Sequence, residues 1–136
     1  MFKNDVKYNT RTVLMGLWVV LVFMYLYCDI FSFFRTGTIT DILEGKMGII
    51  DVTQMSLVIA SVMLMLPILM ILVNLLLKSK MARMLNIIMG ILFIFVNIGN
   101  LAQETWVYYW IYGIIELIIT IFIVITAIKW GKEVKQ

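Results

Sequence analysis

The chain has 136 residues, of which 63% are hydrophobic and 14% are charged, and its net charge is +3. Charged residues make up about 25% of soluble domains, so this composition excludes an ordinary soluble domain and predicts an integral membrane protein. A hydrocarbon core of about 30 Å needs about 20 helical residues per crossing. Four apolar stretches are long enough, and they predict an all-α four-helix membrane bundle forming one domain over residues 1–136, with spans at 13–34, 55–77, 84–102 and 106–128.

The first span contains the only cysteine, Cys28, and the chain has no histidine. A single cysteine cannot form an internal disulfide. The lack of histidine removes the commonest metal ligand and the usual acid-base group near neutral pH. We therefore expect no metal site and no cofactor.

The connection at residues 35–54 is the one long external loop. Loops longer than about 12 to 15 residues tend to be functional or to contain structure of their own. The segment Thr38–Glu44, which is followed by Gly45, predicts one or two helical turns. Two interpretations stay open, namely a partial lid whose apolar side chains pack on the outer end of the bundle, or a connector at the membrane surface.

Local signals predict where the second and third helices begin. The segment Asp51–Gln54 resembles a capping box at the start of the second helix, and Ser79 is a predicted N-cap for the third. Pro67, near the middle of the second span, lacks an amide hydrogen and predicts a kink, which membrane helices tolerate.

Positive charge lies mainly at one end of the predicted bundle. The connection between the first and second spans and the connection between the third and fourth are mainly acidic. Positive charge in short loops marks the cytoplasmic side, so we expect both termini to be cytoplasmic. These cations do not form one contiguous face, so nucleic acid is not an expected partner. The basic residues at the cytoplasmic end are Lys3, Lys7, Arg11, Lys78, Lys80, Arg83, Lys129, Lys132 and Lys135.

Two carboxylates, Asp29 and Glu116, lie inside predicted spans. A charge in a membrane helix costs about 2.5 to 3.5 kcal/mol on insertion scales and usually faces the bundle interior with a partner. At a rise of 1.5 Å per residue, Asp29 lies about 7 Å and Glu116 about 15 Å below the outer ends of their spans. No Lys or Arg lies in the outer half of any span, so we expect each carboxyl to be protonated and hydrogen-bonded, or hydrated in a cavity.

Polar and aromatic residues form stripes at helical spacing on three spans. The stripes run from Trp18 through Tyr25 and Asp29 to Ser32, from Asn86 through Gly90, Phe93, Asn97 and Asn100 to Glu104, and from Tyr109 through Tyr112 and Gly113 to Glu116. Packed together, they predict an outward-facing pocket of carboxylate, amide and phenol groups. Interhelical hydrogen bonding is the alternative for the asparagines, and a membrane-interface belt is the alternative for the aromatic residues. The candidate ligand-binding residues are Tyr25, Asp29, Ser61, Asn97, Asn100, Tyr109, Tyr112 and Glu116.

Five blocks of the sequence carry a resemblance to a known family: LWVVLVFMYLYCDIF, DVTQ, LPILMI, LNIIMGI and WVYYWIYGIIE. They resemble an uncharacterised family of small bacterial four-helix membrane proteins, which implies the architecture and a bacterial cytoplasmic membrane but no activity. In size and helix number the chain is also similar to DoxX-like proteins and to the four-helix sterol isomerases. The isomerases rely on histidine, which this chain lacks.

The sequence leaves three functional hypotheses. The first is a non-enzymatic protein that lies in membrane lipid and binds a small amphipathic or lipid-like ligand in the outward-facing pocket, with a homo-oligomer as one assembly that this hypothesis allows. The second is a membrane enzyme that uses Glu116 or Asp29 as acid or base, with Tyr112 orienting the substrate. The third is a proton-coupled exporter in which Glu116 titrates during transport.

Overall fold

The computed structural model describes residues 8–133, with side chains up to Gly131. Lys3, Lys7 and Lys135 of the predicted cytoplasmic end lie outside the described residues, as does the side chain of Lys132. The elements in chain order are helix α1 (Thr10–Ser32), helix α2 (Thr38–Leu43), strands β1 (Lys46–Met47) and β2 (Ile50–Asp51), and helices α3 (Gln54–Leu76), α4 (Ser79–Ala102) and α5 (Val107–Glu133).

Four of the helices are long and apolar enough to cross a membrane, which confirms the predicted all-α class and its four spans. They are α1, α3, α4 and α5, the last over residues 107–131. We call the end with the start of α1, the α3–α4 turn and the end of α5 the terminal end. The opposite end, which has α2, the strands and the α4–α5 connection, is the loop end.

The helix starts are fixed by local hydrogen bonds. The side chain of Asn9 accepts a hydrogen bond from the Arg11 amide at 3.1 Å and so caps α1. At α3, Thr53 and Ser56 form the capping box, so the predicted box at Asp51–Gln54 was wrong. Lys78 occupies the N-cap position of α4, so the prediction for Ser79, which is the first helical residue, was also wrong.

The helices pack so that α1 lies against α3 and α5, while α4 lies against α5 and, less extensively, against α3. Glycines bring α4 and α5 close together. A Cβ on Gly90 would lie 2.5 Å from Cγ2 of Val124, and one on Gly113 would overlap the Leu101 side chain. The apolar core lies mainly toward the terminal end and consists of Leu14, Trp18, Leu21, Met70, Ala82, Phe93, Ile123, Ala127 and Trp130.

Helix α3 is buried only in its second half. Its buried residues are Pro67, Met70 and Asn74, and none of residues 54–66 is buried. The loop-end half of α3 therefore has no side chain packed into the core, and a crevice opens between α1 and α3 beside Pro67. The helix continues through Pro67, and the kink at this residue stays a prediction.

The loop between α1 and α3 contains the predicted short helix and also a small hairpin that was not predicted. Gly37, Gly45 and Gly48 have positive φ angles of 89°, 76° and 63°, which only glycine adopts readily. Strands β1 and β2 pair antiparallel, with Lys46 opposite Asp51. None of the α2 residues is buried, and α2 contacts mainly β1, so the exposure of its apolar side chains favours the connector interpretation over the lid.

Candidate functional site

A buried polar cluster joins three helices in the terminal half of the bundle. Oδ1 of Asn86 accepts hydrogen bonds from Nε1 of Trp18 at 2.7 Å and from Nδ2 of Asn74 at 3.2 Å. Nδ2 of Asn86 donates to Oδ1 of Asn74 at 2.8 Å and to the Ala82 carbonyl at 2.7 Å. All three side chains are inaccessible to solvent. Because every amide group in the cluster has a partner, the cluster is a structural junction of α1, α3 and α4.

A second polar cluster lies at the centre of the bundle, nearer the loop end. The Tyr25 hydroxyl donates to Oδ1 of Asn97 at 2.8 Å, which links α1 to α4. Nδ2 of Asn97 donates to Oγ1 of Thr120 on α5 at 3.4 Å, and this hydroxyl donates to the Glu116 carbonyl at 2.8 Å. The cluster therefore connects three helices and ends one helical turn from the Glu116 carboxylate.

Glu116 is buried without a hydrogen-bond partner for one of its carboxylate oxygens. The residue is 5% exposed, and Oε1 has no partner among the described residues. It lies about 14 Å along α5 from the start of that helix. A buried carboxylate oxygen without a partner is costly in hydrocarbon. A native structure usually retains such a group because it binds a ligand or an ion. Glu116 is thus the polar group of the bundle that most needs a partner.

Asp29 lines the crevice between α1 and α3. This crevice has a volume of about 180 Å³, and Asp29 is its only charged lining residue; the others are Val22, Tyr25, Leu26, Leu64, Pro67 and Ile68. The predicted arrangement, with Asp29 at the bundle centre, differs from the structure, in which the Asp29 side chain is exposed in this lateral crevice. Asp29 and Glu116 are still close enough to interact electrostatically. Tyr25 belongs to both places, since it lines the crevice and bonds to Asn97.

An ion pair between Arg35 and Glu104 lies at the loop end of the bundle. Nη1 of Arg35 donates to Oε2 of Glu104 at 3.1 Å, and the guanidinium lies 5.1 Å from the centre of the Trp106 ring. Burial alone would raise the pKa of Glu104, but hydrogen bonds from Arg35 and from the Thr105 and Trp106 amides outweigh it and hold the pKa below its usual value. Arg35, the cation nearest to Asp29 in sequence, is thus already paired.

The other candidate residues lie on the surface of the bundle or near the loop end. Ser61 and Asn100 are exposed. The half-buried Tyr112 ring packs against Phe31, with centroids 6.3 Å apart, and the half-buried Tyr109 ring packs against Tyr108 at 6.2 Å. The structure therefore brings Tyr25, Asn97 and Glu116 together at the centre and leaves Ser61 and Asn100 outside that group.

Three participants were missed from the sequence: Thr120, Asn74 and the apolar wall of the crevice. Thr120 follows Glu116 by four residues, so the same helical spacing that found Glu116 could have found it. Asn74 lies close to the end of α3, where an asparagine is easily interpreted as an interfacial residue. No pattern indicates the wall at Leu64, because that side of α3 is apolar like the rest of the helix.

The arrangement offers hydrogen-bond acceptors rather than donors. Asp29 and Glu116 present carboxylate oxygens, while the Tyr25 hydroxyl donates to Asn97 and one of the two Nδ2 hydrogens of Asn97 is donated to Thr120. Within the described residues no group of three His, Cys, Asp or Glu side chains is placed to hold a metal ion. A molecule that bound beside these carboxylates would do so through donor groups of its own.

Four apolar helices around a polar centre define this chain as a four-helix membrane protein. It belongs to a family of unknown function, DUF6326, whose family model matches residues 1–136. Neither a curated protein nor a solved structure matches the chain. The resemblance to an uncharacterised family is thereby confirmed, and the four long apolar helices fit a membrane protein.

Proposed function

We propose that this protein binds a small amphipathic or lipid-like ligand in the crevice between α1 and α3, with the ligand's polar group at Asp29. The observation that carries the proposal is a crevice between α1 and α3 that has apolar walls and a single carboxylate, that of Asp29. Binding sites for small molecules have this form, in which apolar walls hold the ligand and a few polar groups orient it.

The size and polarity of the crevice narrow the ligand class. A volume of about 180 Å³ is below the roughly 300 to 1,000 Å³ of sites that enclose a drug-sized molecule. The ligand therefore places its head in the crevice and leaves an apolar tail in the surrounding hydrocarbon. Since the free groups are acceptors, the head donates hydrogen bonds, as an amine or a hydroxyl does.

The charge distribution supports a multi-pass protein of a bacterial cytoplasmic membrane with its terminal end on the cytoplasmic side. Arg11, Lys78, Lys80, Arg83 and Lys129 lie at the terminal end, whereas Asp41, Glu44, Asp51 and Glu104 lie at the loop end. This is the distribution that the positive-inside rule associates with cytoplasmic termini.

Two further expectations from the sequence stay predictions. They are the assembly into a homo-oligomer and the likeness to DoxX-like proteins.

Proton-coupled export is a second candidate function, and the unpartnered Glu116 in the middle of α5 favours it. Buried carboxylates in membrane helices are typical of proton relays. In that case, purified protein in vesicles would take up the ligand in response to a proton gradient, and Glu116→Gln would abolish the response. The enzyme alternative gains no support, because an acid or base is ordinarily oriented by a hydrogen bond and Oε1 of Glu116 has none.

Replacing Asp29 by asparagine is expected to lower the amount of co-purified ligand about tenfold, because a hydrogen bond to a charged group contributes roughly 1.5 to 3 kcal/mol. Native mass spectrometry of the wild-type and variant proteins, with lipid extraction of the same samples, measures this occupancy. The matched control is Asp41→Asn, an exposed acid at the loop end. Equal ligand occupancy in wild type, Asp29→Asn and Asp41→Asn would contradict the proposal.

A further inference from the structure

A second crevice lies at the terminal end, between α1 and α5. It has a volume of about 200 Å³ and is lined by Thr10, Phe122, Ile125, Thr126, Lys129 and Trp130. The crevice that contains Asp29 lies between α1 and α3 toward the loop end and shares none of these residues. The two crevices are therefore separate sites, and the inference about this one does not rest on the proposed function.

The lining of this crevice changes from apolar to basic along α5. Phe122 and Ile125 have 51% and 41% of their surface exposed, although they belong to a helix long enough to cross a membrane. Lys129 follows Phe122 by seven residues, which corresponds to about 10 Å along the helix. An elongated molecule that lies parallel to α5 thus meets an apolar wall along its chain and an ammonium group at its head.

Trp130, which lines the basic end of the crevice, is fixed in position by its contact with Arg11. Trp130 is 6% exposed, and the Arg11 guanidinium lies 5.8 Å from the centre of its ring. Arg11 is fixed in turn by hydrogen bonds to the carbonyls of Asn74 at 2.9 Å and Leu77 at 2.6 Å. A fixed guanidinium beside the crevice adds positive charge that does not need to be ordered when a ligand binds.

The positive charge at the terminal end of the bundle favours an anionic ligand in this crevice. Among the side chains that the structure describes, this end has five basic ones, on α1, α4, α5 and the α3–α4 turn, and no acidic one. Helices α1 and α4 begin at this end and α3 and α5 end here, so their dipoles largely offset one another and the basic side chains set the sign of the field. An anion bound near Lys129 therefore meets attraction from several elements, whereas a cation would be repelled.

We propose that this crevice binds the phosphate-bearing head of an anionic phospholipid, with Lys129 contacting the phosphate and Phe122 and Ile125 contacting an acyl chain. Lysine binds phosphate as a point charge, and basic pockets between membrane helices bind anionic lipid heads. A volume of about 200 Å³ holds only part of a phospholipid, so the acyl chains remain in the bilayer. The apolar and basic parts of the crevice follow one another in the same order as the parts of a lipid in that leaflet.

Native mass spectrometry of the full-length protein with equal amounts of phosphatidylglycerol and phosphatidylcholine tests this proposal. Wild type is expected to retain phosphatidylglycerol preferentially. Lys129→Gln is expected to lower the retained phosphatidylglycerol about fivefold, which corresponds to one surface lysine near an anionic lipid. Thr126→Phe fills the crevice but keeps Lys129, and we expect it to lower retention as well.

The matched control is Lys80→Gln, which removes an exposed lysine from the same end but outside the crevice. We expect it to change phosphatidylglycerol retention less than twofold. Thermal unfolding of each variant separates loss of lipid from loss of fold. The proposal is overturned if wild type retains both lipids equally, if Lys129→Gln and Lys80→Gln have the same effect, or if excess inorganic phosphate displaces the lipid.

Discussion

Replacing Asn86 by alanine is expected to lower the free energy of unfolding by about 2 to 3 kcal/mol. The substitution leaves Nε1 of Trp18 and Oδ1 of Asn74 buried without a partner, whereas Nδ2 of Asn74 keeps its hydrogen bond to the Met70 carbonyl. Each unsatisfied buried group costs about 1 to 3 kcal/mol, although hydrogen bonds between membrane helices average only about 0.6 kcal/mol when they are measured singly. We expect a loss at the upper end of the range for unsatisfied buried groups, because the substitution breaks hydrogen bonds that join three helices.

Reversible unfolding in mixed detergent measures this change, and Asn100→Ala is its control. Asn100 lies on the same helix but is exposed, so the same substitution there is expected to cost less than about 0.5 kcal/mol. A double-mutant cycle of Asn74→Ala and Asn86→Ala should give a coupling energy above about 0.5 kcal/mol. Equal effects at Asn86 and Asn100 would mean that the buried cluster is not a junction.

Replacing Glu116 by glutamine is expected to raise the stability of the ligand-free protein and to lower ligand retention. Oε1 of Glu116 is buried without a partner, so its carboxyl group contributes unfavourably to folding unless something binds it. The isosteric amide removes the charge, and we expect a gain of about 1 to 2 kcal/mol, together with ligand loss comparable to that of Asp29→Asn. Opposite signs for stability and binding are typical of residues kept for function.

Thermal unfolding and native mass spectrometry of the same preparation give both quantities. Glu44→Gln is the control, since Glu44 is exposed at the loop end and pairs only weakly with Lys46 at 3.9 Å. Neither its stability nor its ligand content should change. If Glu116→Gln lowers stability and leaves the ligand in place, Glu116 has a structural role and takes no part in ligand binding.

Much of the fold follows from the sequence, because a membrane restricts the chain to long apolar helices. The four spans were predictable from hydropathy, and the α2 segment was predictable from Thr38–Glu44 and its glycine. The hairpin was not, since strands of two residues carry no periodic pattern. The helix starts were wrong at Asp51 and Ser79 because several polar residues near each boundary can cap, and the sequence pattern alone does not choose among them.

The candidate site was predictable where helical spacing settles which face a residue lies on. The predicted stripe on α4 is buried from Asn86 through Gly90 and Phe93 to Asn97, but its last members are not, since Asn100 is exposed and Glu104 is half-buried beyond the helix end. On α1, Cys28 and Asp29 follow Tyr25 by three and four residues, and both steps are compatible with one helix face. The structure buries Cys28 and leaves Asp29 in the lateral crevice, a choice that depends on how α1 is rotated against α3 and α5.

Photo-crosslinking with a photoactivatable long-chain amine tests most directly whether the crevice between α1 and α3 is the binding site. The head of the probe donates hydrogen bonds to a carboxylate, and its tail matches the apolar wall. The account predicts adducts on residues 22–29 and 64–68, and it predicts that Asp29→Asn removes them. Adducts that are spread over exposed α5 positions such as Ile114 and Ile118, and that persist in Asp29→Asn, would contradict it.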